Sequence, residues 1–215
     1  MSAERLDILA IAAHPGDAEA CCGGTLIRMA SQGYRTGVLD LTVRDVHGAG
    51  VEAAAGGPLG LGWRDNQRMP AGRLDNTLPA RMTLALRIRE LRPRVVILPF
   101  GDEGDPDEVH GRALGVEACS LAGRADLEEY SAPHRPERIL YASFFAAVAP
   151  AFVVDISGQF EARMAALRES TSAARFADPE RVETLARYHG SRIGVRYGEP
   201  FVTREPLALG DIVGI

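Results

Sequence analysis

Five short runs rich in Val, Ile and Leu, at residues 6–13, 36–42, 94–100, 138–143 and 151–156, constrain this chain more than any other feature. The first four lack the strict alternation of a half-exposed strand. They fit strands covered on both faces in a largely parallel sheet. Such cover comes from helices, and helical patterns lie between the runs. Residues 23–32 follow the first run, and 78–91 carries Leu84, Ile88 and Leu91 at three- and four-residue spacing. Residues 110–122 form a third helix, and Phe160, Met164 and Leu167 mark a fourth. Pro179, near the first turn of 178–188, suits a fifth. The βαβα order predicts one domain over residues 1–215, an α/β fold with a three-layer, doubly wound, Rossmann-like sheet and helices on both faces.

Two stretches interrupt this pattern. Residues 43–72 are rich in Gly and Ala and are expected to be a long loop, or a short helix between loops. Residues 101–109 hold five carboxylates and no apolar side chain before Val109. Both follow the C-terminal ends of predicted strands, where open α/β sheets bind ligands.

Bulk properties narrow the partners. A formal charge of -5 without a run of Lys or Arg gives no footprint for nucleic acid or an anionic membrane, so a small molecule is the expected ligand. The N-terminus runs directly into a strand-like segment, with no signal peptide and no apolar stretch of bilayer length, which points to the cytoplasm. Cys21, Cys22 and Cys119 are odd in number and show no Cys-x-x-Cys pair. Reduced thiols are expected, not a disulfide framework. No Gly-x-Ser-x-Gly elbow is present, and Gly23-Gly24 matches no nucleotide-binding pattern.

The first run ends at His14, and Asp17 follows three residues later on the same loop. Imidazole and carboxylate are both good zinc ligands, and a catalytic zinc needs three protein ligands with a fourth position open to water. His110, beyond the third run, is placed to supply the third. By spacing alone the pair fits a metal site or ordinary loop hydrogen bonding.

His14-Pro-Gly-Asp-Ala-Glu19 followed by Cys22-Gly-Gly-Thr-Leu26 resembles the signature of the LmbE/PIG-L family of zinc-dependent N-deacetylases, the GlcNAc-PI de-N-acetylase relatives. Asp40-Leu-Thr42, Leu74, Phe152-Val-Val-Asp-Ile156, Gly190-Ser-Arg-Ile-Gly-Val195 and Tyr197-Gly-Glu-Pro-Phe201 extend the likeness, which is strongest to the bacillithiol-pathway branch. The resemblance implies a Zn2+ ion on His14, Asp17 and His110, an N-acylated small-molecule substrate such as an amino sugar, and a homo-oligomer.

The chain also departs from the pattern. The family's presumed general base falls on Gly16, which cannot accept a proton. The first His of the His-Pro-Asp-His motif is Asp105, and two residues are inserted before His110. Asp105 and Asp107 are the expected substitutes for acid/base work. Asp45, Arg64 and Arg192 are the candidate substrate-binding residues. The expected function is an amidohydrolase that removes an acyl group from an amine. The alternative is a relative that binds a ligand or partner without hydrolysing it.

Overall fold

The computed structural model describes residues 5–43, 59–101, 104–127, 131–170 and 178–207. The first apolar run forms strand β1 (Ile8–Ala12), whose side chains alternate between two cores. Leu9 and Ile11 enter one core, and Ala10 and Ala12 enter the other. A strand buried on both faces has no polar side to show, which explains its unbroken hydrophobicity.

Among the described residues, β1 is followed by β2 (Thr36–Val43), β3 (Trp63–Pro70), β4 (Val95–Pro99), β5 (Arg138–Ala142), β6 (Phe152–Asp155) and β7 (Gly198–Val202). They form one sheet in the order β3-β2-β1-β4-β5-β7-β6. The pairings from β3 to β5 are parallel, while β7 runs antiparallel to both β5 and β6. Helices α1 (Asp17–Ser31), α2 (Leu78–Leu91), α3 (Pro106–Ala122), α4 (Phe160–Glu169) and α5 (Pro179–Ser191) complete the alternation. On one face, Leu84 and Ile88 of α2 and Leu114 and Ala118 of α3 pack on Leu9, Leu39 and Val96. On the other, Ala18, Cys22 and Leu26 of α1 pack on Ala10, Val38 and Ile97. The expected three-layer, doubly wound α/β architecture is the one observed.

Two strands were not foreseen. Trp63–Pro70 lies inside the segment expected to be a loop, and residues 44–58 of that segment lie outside the described residues. Among the described strands it pairs with β2 alone, at the edge of the sheet, and it is rich in polar residues, none of them fully buried. Strand β7 hides behind Gly198, Glu199 and Pro200, residue types that strands ordinarily avoid.

Helix α1 contains two helical pieces joined at Cys22, whose φ of -148° and ψ of 16° break the helix. The four donors and four acceptors that a helix leaves at its ends must then be satisfied in the middle of the protein. An ion pair does this. The Glu199 carboxylate accepts from Gly24 N (2.9 Å), Thr25 N (2.6 Å) and Thr25 Oγ1 (2.6 Å), capping the second piece with negative charge. Arg163 donates from Nε to Glu19 O (3.4 Å) and from Nη2 to Ala20 O, covering the end of the first piece. Arg163 Nε and Glu199 Oε1 stand 3.1 Å apart, both side chains 0% exposed. Gly24 admits this arrangement, since a Cβ there would lie 2.9 Å from Ile156 Cδ1 and 3.0 Å from Glu199 Oε1.

Candidate metal centre

Strand β1 delivers His14 to the C-terminal edge of the sheet, and Gly16, with a left-handed φ of 97°, turns the chain into α1. Asp17 Oδ2 accepts from His14 N at 2.9 Å, which closes this turn on itself. The turn is held from both sides, because Arg163 takes Glu19 O while Arg64 of β3 reaches the Glu19 side chain. Arg64 Nη1 donates to Glu19 Oε1 at 2.5 Å, and Nη2 donates to Asp40 Oδ2 at 2.9 Å. All three side chains are under a tenth exposed.

The orientation of His14 follows from proton counting. Thr42 has one hydroxyl proton, and it goes to Ala13 O at 2.8 Å. The His14 Nδ1–Thr42 Oγ1 contact of 2.6 Å therefore has Nδ1 as its donor. In a neutral ring Nε2 then carries the lone pair. That nitrogen faces two carboxylates, Asp105 Oδ2 at 3.3 Å and Asp107 Oδ2 at 3.7 Å. A lone pair against two negative charges is repulsive unless a cation or a second proton sits between them.

The donor set fits a metal. Among the described residues, His14, Asp105 and Asp107 are the group whose ligand atoms all lie within 4.8 Å of one another. With zinc–ligand bonds of about 2.0–2.2 Å, the corners of a tetrahedral site stand about 3.4 Å apart. Helix α3 fixes both carboxylates. Asp105 is its N-cap, its Oδ1 accepting from Asp107 N at 2.9 Å. Asp107 is tied at both oxygens, accepting from Gly72 N at 2.6 Å and from Leu74 N at 3.1 Å. Asp105 keeps a quarter of its side chain exposed, against 4% for Asp107.

The other sequence candidates stand outside this group of three. Asp17 adjoins the group through His14 N but does not supply one of its three ligand atoms. His110 is exposed, with Nδ1 2.5 Å from Leu74 O. The carbonyl can only accept, so Nδ1 donates and the lone pair of a neutral ring is on Nε2. The two residues inserted before His110 are absorbed into continuous helix, where they add about 200° of rotation. Glu108, which follows Asp107 directly, instead turns toward α1 and lines a crevice with Asp17 and Cys21. Reading the motif without a gap would have singled it out. Arg64 is engaged by Glu19 and Asp40, Arg192 is exposed at the C-cap of α5, and Asp45 lies outside the described residues. The three cysteines are free, and burial raises each thiol above its ordinary pKa.

No family model matches the chain. It is 30% identical to the diacetylchitobiose deacetylase of Thermococcus kodakarensis over 89% of this chain and 80% of that one. A conserved protein of Thermus thermophilus superposes with a TM-score of 0.84 at 36% identity, covering 95% of this chain and 97% of the other. The N,N'-diacetylchitobiose deacetylase of Pyrococcus horikoshii shares the fold, with a TM-score of 0.72 at 21% identity over 90% and 82% of the two chains. The chain belongs to the LmbE/PIG-L family of deacetylases.

Proposed function

We propose that this protein is a metal-dependent amidohydrolase that removes the acetyl group from an N-acetylated amino sugar, with Zn2+ as its ion. The observation that carries the reading is the His14 Nε2 lone pair aimed at the Asp105 and Asp107 carboxylates, in a chain that matches a diacetylchitobiose deacetylase over most of its length. In the reaction, a water oxygen bonds to the amide carbonyl carbon and the C–N bond breaks. Both water protons end on the departing amine, which leaves as the ammonium ion, and acetate is the other product.

His14, Asp105 and Asp107 would hold the ion, which supplies a polarised carbonyl and a more acidic water. Thr42 fixes the imidazole so that Nε2 points at the site. Asp107, held by two backbone N–H groups, is the rigid member of the pair. Asp105 is the more exposed of the two carboxylates; where the ion sits on other ligands, its Oδ2 is the group that takes the water proton and passes it to the amine in place of the side chain that Gly16 lacks. A second arrangement, with the ion on His14, Asp17 and His110, is favoured by the Leu74 contact that leaves His110 Nε2 with its lone pair.

Metal content separates the two arrangements. Protein purified without chelators and supplied with zinc should carry about one ion per chain, as a single catalytic site requires. His14→Ala should lose the ion in either case. Loss in Asp105→Asn with retention in His110→Ala selects the first set, and the reverse selects the second. Release of free amine from N-acetylglucosamine and diacetylchitobiose tests the activity. Zinc-loaded protein that hydrolyses no acylated amine would make it a ligand-binding relative instead.

A further inference from the structure

Helix α3 carries Asp105 and Asp107 at its start and borders a cavity near its other end. On this face of the sheet the apolar core thins at β5, where Tyr141 is buried but Ile139 is only partly so. Beyond it a cavity of about 520 Å³ opens, within the range of roughly 300–1,000 Å³ that small-molecule sites occupy. Val116, Cys119 and Ser120 of α3 form one wall, residues 135–137 a second, and the segment after β7 a third. Ser120 stands about 20 Å along the helix axis from Asp107, so the cavity is separate from the candidate metal centre.

The polar groups of this lining lack partners. Tyr141 is 4% exposed, yet among the described residues its hydroxyl meets no hydrogen-bond partner, whereas a phenol buried to that degree ordinarily finds one. Ser120 and Thr203 bring two further hydroxyls to the same cavity. Three arginines line it as well. Arg135 and Arg204 enter no ion pair among the described residues, and Arg138 donates from Nη1 to a backbone oxygen, Glu137 O, at 2.8 Å. Arg204 lies over the Tyr141 ring at 5.3 Å, which places its charge beside the phenol. Two carboxylates oppose them. Glu137 is paired with Arg94 at 3.3 Å, which leaves Glu205 against three guanidinium groups, an excess of two positive charges in a chain whose formal charge is -5.

A matching ligand is anionic, accepts hydrogen bonds from hydroxyl as well as guanidinium groups, and covers the apolar surface of Val116, Ile139 and Leu207. A phosphate monoester meets all three requirements. It carries about 1.5 to 2 negative charges at neutral pH and three strong acceptor oxygens, and its organic group supplies the apolar contact. A carboxylate brings one charge and two oxygens. We propose that this cavity binds a phosphate monoester with an apolar organic group, held by Arg135, Arg138 and Arg204, with Tyr141 donating its hydroxyl proton to the phosphate. The site is independent of the deacetylase reading.

Calorimetric titration of the full chain with phenyl phosphate, inorganic phosphate and benzoate tests the site. Phenyl phosphate should bind once per chain and about tenfold or more tighter than benzoate, since one additional charge-assisted hydrogen bond contributes that much. Inorganic phosphate should be the weaker of the two phosphates, because it leaves the apolar surface uncovered. Arg135→Gln combined with Arg204→Gln, both at exposed positions, should weaken phenyl phosphate about tenfold or more. Tyr141→Phe, which removes only the hydroxyl, should weaken it about threefold or more, and Glu205→Gln should strengthen it. His14→Ala should bind it as the wild type does. Thermal unfolding verifies that each variant is folded. No saturable binding, equal affinity for benzoate, or an affinity unaltered in the arginine double variant or in Tyr141→Phe would overturn the site. Loss of binding in His14→Ala would overturn it too, by placing the phosphate at the candidate metal centre.

Discussion

Replacing Glu199 by Leu tests whether one buried ion pair holds the bent helix beside the candidate site. The substitution removes a carboxylate that satisfies Gly24 N, Thr25 N and Thr25 Oγ1 and neutralises Arg163, with both charged side chains fully buried. Breaking a buried pair by deleting one partner costs about 3–5 kcal/mol, because the remaining charge has lost its counterion. For a chain of this length each kcal/mol moves Tm by roughly 2–4 °C, so the variant should melt about 6–20 °C lower. Arg163→Met combined with Glu199→Leu should recover part of the loss. No lone charge remains in the double variant, but the donors of Gly24 and Thr25 still lack an acceptor. Thermal unfolding of the wild type, both single variants and the double variant gives the coupling directly. A shift below about 3 °C for Glu199→Leu, or a double variant as unstable as the sum of the singles, would refute the account.

Three further outcomes follow from the same geometry. Burial pushes the Asp40 carboxyl from 3.8 up to about 6 against the pull of Arg64. Its folded pKa lies above its unfolded one, so its contribution to stability is complete below 3.8 and is lost as pH rises through about 6. In urea unfolding, the stability of wild type relative to Asp40→Asn should fall between about pH 4 and pH 7, and a constant difference would contradict the burial argument. Gly24→Ala places a Cβ against Ile156 and Glu199 and should destabilise the protein by about 1–3 kcal/mol, measured by the same method. Gly16→Asp forces a side chain onto a φ of 97° and should cost about 1–2 kcal/mol, while its zinc content stays that of the wild type.

The sheet was legible wherever burial on both faces left an apolar run, as in β1, β2, β4 and β5. It was illegible where another requirement overrode strand propensity. In β3, polar residues serve a solvated edge and Arg64 serves the pair with Glu19 and Asp40. In β7, Glu199 sits within a strand because a helix end elsewhere in the fold needs an anion. The early start of α1 at Asp17 was hidden for the same reason. Its first piece ends at Cys22, and Gly23-Gly24 therefore read as a beginning when it is a joint sealed from outside by Arg163 and Glu199.

The site shows the same logic at finer scale. Motif spacing carries geometric meaning only while the backbone between the matched residues keeps one conformation. The sequence from Asp105 to His110 invites an alignment with a gap, because a histidine is the expected ligand. Asp105 followed by Pro106 is also an N-cap with proline at the first turn, and the helix it starts runs unbroken past His110. Extra residues in a helix do not bulge out as they would in a loop; they rotate everything that follows. Two extra residues add about 200° of rotation; Asp105 and Asp107, in the first turn, stand with His14, while His110, one turn on, contacts the same Leu74 as Asp107. Asp105, at the position where the family pattern has a histidine, stands with its Oδ2 3.3 Å from His14 Nε2.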